Sequence, residues 1–421
     1  MTSAVKSKSV LSSTARLIDR INRLGAVSDD PNCLSRFYGT KAHQKAGELL
    51  IHWMRESGLT VYKDDIGNIR GVLPSKSSHA KTFVIGSHYD TVYNAGYYDG
   101  PLGILIGIEI AKTLYRDRIE LPFNLEIIAF SDEEGCRFNT AYLGSSVIAK
   151  KFEASWLGRT DDDGNTLSDV IKINKLNASK LSKHHIAKGQ LLGYFEIHIE
   201  QGPVLCKANL PVALVSGIAA QTRVNIEWKG ECGHAGTYPM HMRQDALCAF
   251  TEFNTEVEML GLEYKDNLVA TVGKVSVGPN VSNVIPDSVK HTLDLRSSDD
   301  FFLKSIEKKL KRHARIISNR RKVNLDWYIM QNNASVVCDE QLRGLLKDSI
   351  SHCGIQRVLS IQSGAGHDAV MMSEVAPVSM LFVRCKEGKS HTPEEYVEPE
   401  DITSALGVGY AFIQKLIQLN T

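Results

Sequence analysis

The segment "GSHYDTVYNAGYYDGPLG" (residues 86–103) places a histidine and two aspartates among glycines. His88 and Asp99 offer an imidazole and a carboxylate as ligands for a metal ion, and Asp90 is placed to orient the His88 ring from behind. The glycines allow the backbone to pass close to a bound ion. Because an H-x-D pair alone is more often a polar turn at a strand end, the metal interpretation depends on further ligands.

Further candidate ligands occur in three later motifs. Glu133 and Glu134 adjoin in "FSDEEGCRF", His198 lies in "HIEQGP", and His391 lies in "SHTPEE". Two adjacent carboxylates repel each other unless their partners differ, so we expect Glu134 to bind metal and Glu133 to act as general base towards the attacking water. Taken singly, an exposed acidic turn, a core histidine and a loop histidine are the commoner interpretations.

The combined set contains three imidazoles and two carboxylates. This donor set suits zinc or manganese better than calcium or copper. If Asp99 bridges, two ions roughly 3.5–4 Å apart can act together on one water. We therefore expect two divalent ions, Zn or Mn, held by His88, Asp99, Glu134, His198 and His391.

The segments that carry these residues have the pattern of alternating strands and helices. "KTFVIGSHYDTV", "FNLEIIAFSDEEG" and "YFEIHIEQGPVL" are apolar runs that end in the candidate ligands, and residues 101–114 form an apolar helical segment. This alternation predicts an α/β fold with a mostly parallel, mixed sheet, in which ligands bind at strand ends. Amphipathic helices are predicted at residues 14–25 and 42–57.

A chain of 421 residues exceeds what one hydrophobic core usually supports. The pattern changes near residue 211, where pairs of strands alternate with helices, as in a compact α+β insertion. We predict a catalytic domain in two parts, residues 1–210 and 326–421, interrupted by a smaller domain at residues 211–325.

Composition narrows the class of partner. Lys plus Arg total 49 against 48 Asp plus Glu, which favours a small molecule over nucleic acid or an anionic membrane. The basic run at 308–322 is interpreted as a solvated helix.

No apolar run is long enough to span a membrane, and the first fifteen residues lack the apolar centre of a secretory signal. We expect a cytoplasmic protein whose eight cysteines are reduced and mostly buried.

Seven motifs in order now identify a family. They are "GSHYDTV…YDGPLG", "DEEGCRF", "HIEQGP", "GHAGTYPMHMRQDA", "SNVIP", "DLRSSD" and "SGAGHDA…SHTPEE". The chain resembles the amidase/hydantoinase/carbamoylase branch of the dinuclear zinc aminoacylase and carboxypeptidase clan over about residues 15–418. That branch contains allantoate amidohydrolases, N-carbamoyl-L-amino-acid hydrolases, ureidoglycolate amidohydrolases and β-ureidopropionases.

The resemblance implies a zinc-exopeptidase-like catalytic domain interrupted by a smaller lid domain that also forms a homodimer. It implies the same ligands, with Asp99 bridging and Glu133 as the base. It further implies that His234 reaches a site in the partner subunit and polarises the scissile carbonyl group.

The resemblance also implies a set of substrate-binding residues, namely Gln201, Asn283, Arg296, Gly366 and His367. The planar fork of Arg296 matches a carboxylate, so the substrate should carry an acid group beside an amide or ureide. Gln221 and Arg223 in "AAQTRV" either bind a second polar arm of allantoate or are ordinary residues of a lid strand.

These expectations lead to a metal-dependent hydrolase that cleaves the ureido (carbamoyl) C–N bond of allantoate, in purine-ureide degradation. An N-carbamoyl-L-amino-acid hydrolase or a β-ureidopropionase would use the same site with a different pocket. A catalytically inactive binding or scaffold protein should have lost a ligand or Glu133, and the sequence retains all of them.

Overall fold

The computed structural model describes the backbone of residues 3–421 and the side chains of residues 12–421. The chain forms two compact units. The larger unit consists of the residues before Gly217 together with Val337–Thr421, and the inserted unit is Gly217–Val336.

The helices and strands follow in chain order. The first part contains α1 (Ser3–Gly25), α2 (Lys41–Glu56), β1 (Thr60–Lys63), β2 (Ile69–Leu73), β3 (Thr82–His88), α3 (Pro101–Arg116), β4 (Asn124–Phe130), α4 (Leu143–Ile148), α5 (Leu167–Ile173), β5 (Leu191–Ile199), α6 (Val204–Ala208) and β6 (Val212–Ile218). The insertion contains β7 (Ala220–Lys229), α7 (Ala246–Glu263), β8 (Val269–Thr271), β9 (Val275–Gly278), β10 (Ser288–Ser297), α8 (Asp300–Arg321) and β11 (Asn324–Asn333). The last part contains β12 (Val336–Val337), α9 (Glu340–His352), β13 (Ser360–Ser363), α10 (Ala369–Met372), β14 (Val378–Val383) and α11 (Pro399–Asn420).

The larger unit is built on one mixed sheet with the strand order β1-β2-β4-β3-β5-β14-β6-β12, and β13 pairs with β6. The central strands β4, β3, β5 and β14 run parallel, whereas β2 and β6 join them antiparallel. The predicted α/β fold with a mostly parallel, mixed sheet is therefore confirmed.

Helix α3 lies against the centre of this sheet. A Cβ atom at Gly103 would collide with the carbonyl oxygen of Ile197 in β5, so the glycine permits this close approach. Parallel pairing brings the carboxyl ends of β3, β4 and β5 to one edge, where His88 pairs with Phe130. Ligand sites form at such edges.

The inserted unit has an antiparallel sheet with the order β11-β7-β10-β8, and β9 also pairs with β10. Alternate residues of β7 and β10, such as Val224 and Leu293, are buried in a core shared with α7 and α8. The intervening residues form a more polar face, on which Arg223 pairs with Asp294 and Gln221 with Arg296.

Both predicted domain boundaries lie too early in the chain. Strand β6 begins at Val212 and pairs with β14 in the large sheet, so the inserted unit begins only at Gly217, near the end of that strand. Strand β11 pairs with β7 along the small sheet, so the insertion continues to Val336 rather than ending at residue 325. Long-range strand pairing, which local pattern does not encode, causes both errors.

Two other expectations concern features outside the site. Within residues 3–421, no helix combines the length and apolar character needed to cross a membrane. All eight cysteines are free, but Cys338 and Cys385 are the buried ones, while Cys136, Cys232, Cys248 and Cys353 are exposed. The expectation that most cysteines are buried was wrong.

His43 of α2 gives the fold a pH dependence. Its ring stacks on Tyr89 at 4.3 Å, and its Nε2 donates to the carbonyl oxygen of Ser131 at 2.6 Å. Burial lowers the pKa of His43 to about 3. Because an unfolded histidine binds a proton below about pH 6.5, the unfolded state binds more protons between about pH 6.5 and 3. The free energy of unfolding should therefore decrease as the pH is lowered through this window, by up to about 1.4 kcal/mol per pH unit.

Urea unfolding of the chelator-treated protein at about pH 7 and about pH 5 tests this expectation. The variant His43→Gln should lose less stability on acidification than the unmodified protein. His52→Gln, which changes an exposed histidine of the same helix, is the matched control and should keep the original dependence. Equal losses in all three proteins would contradict the assignment.

Candidate metal and catalytic site

Asp99 lies at the centre of the residues predicted to bind metal. Its Oδ1 is 3.2 Å from His88 Nε2 and 3.1 Å from His198 Nε2. All three side chains are buried, and the two imidazole rings stack with centroids 5.7 Å apart. The three donor atoms lie within 4.8 Å of one another, which is a spacing that a single ion can span.

The other oxygen of Asp99 faces a second group of donors. Asp99 Oδ2 is 3.4 Å from His391 Nε2, which in turn is 3.2 Å from Glu134 Oε1. These three residues form another group with donor atoms within 4.8 Å. The two groups share Asp99, one through each carboxylate oxygen, as a bridging ligand between two ions requires.

Glu133 lies beside both groups. Together with His88 and Glu134 it forms a third group of donors within 4.8 Å. Burial, followed by the neighbouring Glu134 carboxylate, raises the pKa of Glu133 well above its usual value. A carboxyl group with raised proton affinity suits a residue that takes up and returns a proton during catalysis.

Asp90 supports this cluster from behind. Its Oδ1 is 3.3 Å from His88 Nδ1, the ring nitrogen that faces away from Asp99. Its carboxylate also accepts the backbone N–H groups of Glu133 at 3.0 Å and Glu134 at 3.2 Å. Asp90 therefore contacts the ring it was predicted to orient and also holds the turn that presents the two glutamates.

Charge pairing holds the donors together. Burial works to raise the pKa of Asp99, but His198, His391 and His88 outweigh it and hold that pKa well below its usual value. Hydrogen bonds to Asp99 and then Glu134 raise the pKa of His391 to about 11. A metal ion would displace protons from such imidazoles, so its binding should strengthen with pH.

The donor set fits a pair of divalent ions. Three imidazole nitrogens and two carboxylates are ligands typical of zinc and manganese sites. They are mostly buried and converge from sequence-distant elements, and several carboxylates lie within reach of a cation that would offset their repulsion. The structure thus contains a candidate metal site at the predicted residues.

Gln201, His367 and Gly366 belong to the same unit as the cluster. Gln201 Nε2 donates to Asp99 Oδ2 at 2.7 Å, and its buried Oε1 has no hydrogen-bond partner among the described residues. The His367 ring lies 4.5 Å from the His198 ring. A Cβ atom at Gly366 would collide with the Tyr142 hydroxyl group.

The other predicted substrate-binding residues belong to the inserted unit, where they form two groups. Gln221, Arg223 and Arg296 all donate to the Asp294 carboxylate, at 3.0, 2.9 and 2.9 Å. His234 forms an isolated bridge with Val284, next to Asn283, and both His234 and Asn283 are exposed. Their predicted roles in binding and in carbonyl polarisation stay predictions.

Sequence reasoning missed two acidic residues. Asp294 orients the arginine pair, and its signal was the alternation "DLR", which places it on the same strand face as Arg296. Glu395 accepts the backbone N–H of Asp99 at 3.0 Å. It lies four residues after His391 in "SHTPEE", where the sequence alone does not distinguish it from a solvent-exposed glutamate of a loop.

Comparisons with known proteins identify relatives along most of the chain. The profile of the peptidase family M20/M25/M40 matches residues 84–415. Allantoate deiminase 1 of Glycine max is 36% identical over 431 residues, covering 95% of this chain and 89% of the relative. An N-carbamoyl-L-amino-acid amidohydrolase of Pseudomonas sp. (strain NS671) is 37% identical over 416 residues, covering 97% of this chain and 100% of the relative.

A solved structure extends the comparison to the fold. The crystal structure of an amidase of the hydantoinase/carbamoylase family from Burkholderia multivorans matches with a TM-score of 0.85 and 30% identity, covering 96% of this chain and 97% of that one. The predicted resemblance is confirmed. The chain therefore belongs to the peptidase family M20/M25/M40, in the branch of C–N bond hydrolases that holds the hydantoinase/carbamoylase amidases.

Proposed function

We propose that this enzyme hydrolyses the ureido C–N bond of allantoate, with release of ammonia and carbon dioxide, in purine-ureide degradation. The observation that carries the proposal is the pair of donor groups that share Asp99, with the buried Glu133 beside them. Relatives named allantoate deiminase, at 36% identity over most of the chain, support this choice of substrate.

The residues divide the work of the reaction. Glu133 takes a proton from the attacking water, which adds to the ureido carbon, and His234 stabilises the oxyanion that develops there. Glu133 then gives the proton to the departing nitrogen, and the carbamate so formed decomposes to carbon dioxide and ammonia. Bound at the candidate site, two divalent ions, Zn or Mn, would supply Lewis-acid polarisation and lower the pKa of water.

We assign the orientation of the substrate to polar side chains of both units. Arg296 binds the substrate carboxylate as a planar fork, and Gln201, Asn283 and the segment at Gly366–His367 bind neutral groups. Gln221 and Arg223 serve the second ureido arm. This role is supported by their position, since both side chains donate to Asp294 on the polar strand face that also carries Arg296.

A second candidate function is N-carbamoyl-L-amino-acid hydrolysis, with β-ureidopropionase activity as a variant of it. The named Pseudomonas relative, 37% identical over its full length, favours this alternative. The two functions share the catalytic residues and differ in the group that occupies the space beside Gln221 and Arg223. An inactive scaffold is disfavoured because every predicted ligand and Glu133 is present.

The protein is further proposed to be a cytoplasmic homodimer, in which His234 acts in the partner's site. Support for the dimer comes from β11, an edge strand of the small sheet whose one neighbour among the described residues is β7. Tyr328, Ile329 and Met330 of this strand are exposed by 57%, 51% and 61%. An apolar edge strand of this kind is commonly paired or covered.

Ammonia release by metal-loaded protein tests the substrate assignment. The panel is allantoate, ureidoglycolate, N-carbamoyl-β-alanine, several N-carbamoyl-L-amino acids, and the amide of one carbamoyl amino acid. We expect the highest kcat/KM for allantoate. The amide should have a kcat/KM at least about tenfold lower than that of the corresponding carbamoyl amino acid, because it lacks the charge-assisted contact to Arg296. Preference for a carbamoyl amino acid would transfer the function to the second candidate. No turnover with any compound would contradict both.

A further inference from the structure

Glu395 is a buried carboxylate that holds the backbone beside the shared ligand. It is 4% exposed, and its Oε1 accepts the consecutive N–H groups of Tyr98 at 2.8 Å and Asp99 at 3.0 Å. A carboxylate that binds two successive amides fixes the orientation of the peptide between them. Glu395 thereby sets the direction in which the Asp99 side chain leaves the backbone.

The second oxygen of Glu395 reaches the other ligand segment. Its Oε2 is 3.0 Å from the Ser390 hydroxyl group, which is also 2.7 Å from Asp99 Oδ2. Ser390 immediately precedes His391, whose backbone adopts the left-handed conformation with φ of 57°. One side chain therefore connects the segments that carry Asp99 and His391, which are almost three hundred residues apart in sequence.

The surrounding residues accommodate this contact. A Cβ atom at Gly96 would collide with the Glu395 side chain, so the glycine lets the two segments approach. The next residue, Tyr396, packs edge-on against Tyr98 with ring centroids 5.9 Å apart. Both sides of the connection are thus packed against each other rather than meeting at a single hydrogen bond.

The two donor groups differ in what holds their ligands. His88 and His198 lie on β3 and β5, strands that are paired on both sides in the large sheet. Asp99, Glu134 and His391 lie outside helices and strands. The second group therefore depends more on side-chain hydrogen bonds for its geometry. Glu395 accepts hydrogen bonds from the backbone of Asp99 and from Ser390, the residue before His391.

We propose that Glu395 is a positioning residue for the ion held by Asp99, Glu134 and His391, acting through hydrogen bonds and without binding metal itself. The inference depends on the candidate metal site and is independent of the substrate. It predicts that removing these hydrogen bonds weakens the ion at Glu134 and His391 more than the other ion, because the other ion also has the strand-borne ligands His88 and His198, which keep their places.

Calorimetric titration of metal-free protein with zinc or manganese provides the test, with bound metal counted after dialysis. In Glu395→Ala the dissociation constant of the ion at Glu134 and His391 should rise by about 10- to 100-fold, and that of the other ion, which shares Asp99, by a clearly smaller factor. Glu395→Gln should stay within a few-fold of the unmodified protein, since its amide oxygen accepts both N–H groups and its nitrogen donates to Ser390. Glu394→Ala, a change of the exposed neighbour that pairs with Lys389, is the matched control and should bind both ions normally.

Ser390→Ala keeps the test decisive if Glu395→Ala does not fold. It removes the contact to the His391 segment without opening a large cavity, and it should weaken the same ion. Three results would overturn the proposal: unchanged affinities in both Glu395→Ala and Ser390→Ala, equal weakening of both ions, or a loss in Glu395→Gln as large as in Glu395→Ala. The last result would mean that charge, rather than positioning, is what Glu395 provides.

Discussion

Replacing Glu133 with glutamine is expected to lower kcat by about 10²- to 10⁴-fold while both metal ions stay bound. The amide has nearly the same shape as the carboxyl group but cannot take a proton from water. Burial and the neighbouring Glu134 raise the pKa of Glu133, as a residue that exchanges a proton requires. Steady-state ammonia release and metal content, measured on the same preparation, test both parts of the expectation.

The matched change is Glu134→Gln, one residue along the same turn. Because Glu134 lies with Asp99 and His391, its loss should lower the metal content as well as the rate. If Glu133→Gln loses metal instead, Glu133 is a ligand rather than the base. Retained turnover in Glu133→Gln would remove it from the mechanism altogether.

Replacing Asp99 with alanine is expected to weaken both ions and to lower turnover by at least about 10³-fold. Each oxygen of this carboxylate faces a different donor group, so no other single change removes a contact from both. The loss corresponds to about 4 kcal/mol of transition-state stabilisation, a moderate figure for metal-assisted hydrolysis.

Metal analysis after dialysis, together with circular dichroism to verify folding, measures this effect. Asp326→Ala serves as the control, since it removes a partly exposed carboxylate that pairs with Lys229 in the inserted unit. The control should keep both ions and full activity. An Asp99→Ala protein that retains two ions would show that the bridging assignment is wrong.

The parts of the site that sequence revealed are those at the ends of apolar strands. His88 ends β3 and His198 lies near the end of β5, so hydrophobic pattern and strand order suffice to bring them to one edge. His391 is different, because no pattern in the loop "KSHTPEEY" predicts that this loop packs against the strand ends that carry the other ligands. Its inclusion rested on ligand chemistry and on the resemblance to a family.

The parts that sequence missed depend on contacts between distant segments. Glu395 acts on the backbone of Asp99, and nothing local distinguishes it from the exposed Glu394 beside it. Asp294 could have been found, since alternation along β10 places it on the same face as Arg296. The domain boundaries failed for the same reason as Glu395, because the partners of β6 and β11 are remote in sequence.

The central claim is that the hydrolysis requires two metal ions that share Asp99 as a ligand. Its most direct test removes all metal with a chelator, restores zinc or manganese stepwise, and records bound ions per chain and ammonia release at each step. The structure predicts negligible turnover without metal, two bound ions per chain at saturation, and turnover that follows their binding. Turnover that persists in the metal-free protein, or saturation at a single ion, would contradict the claim.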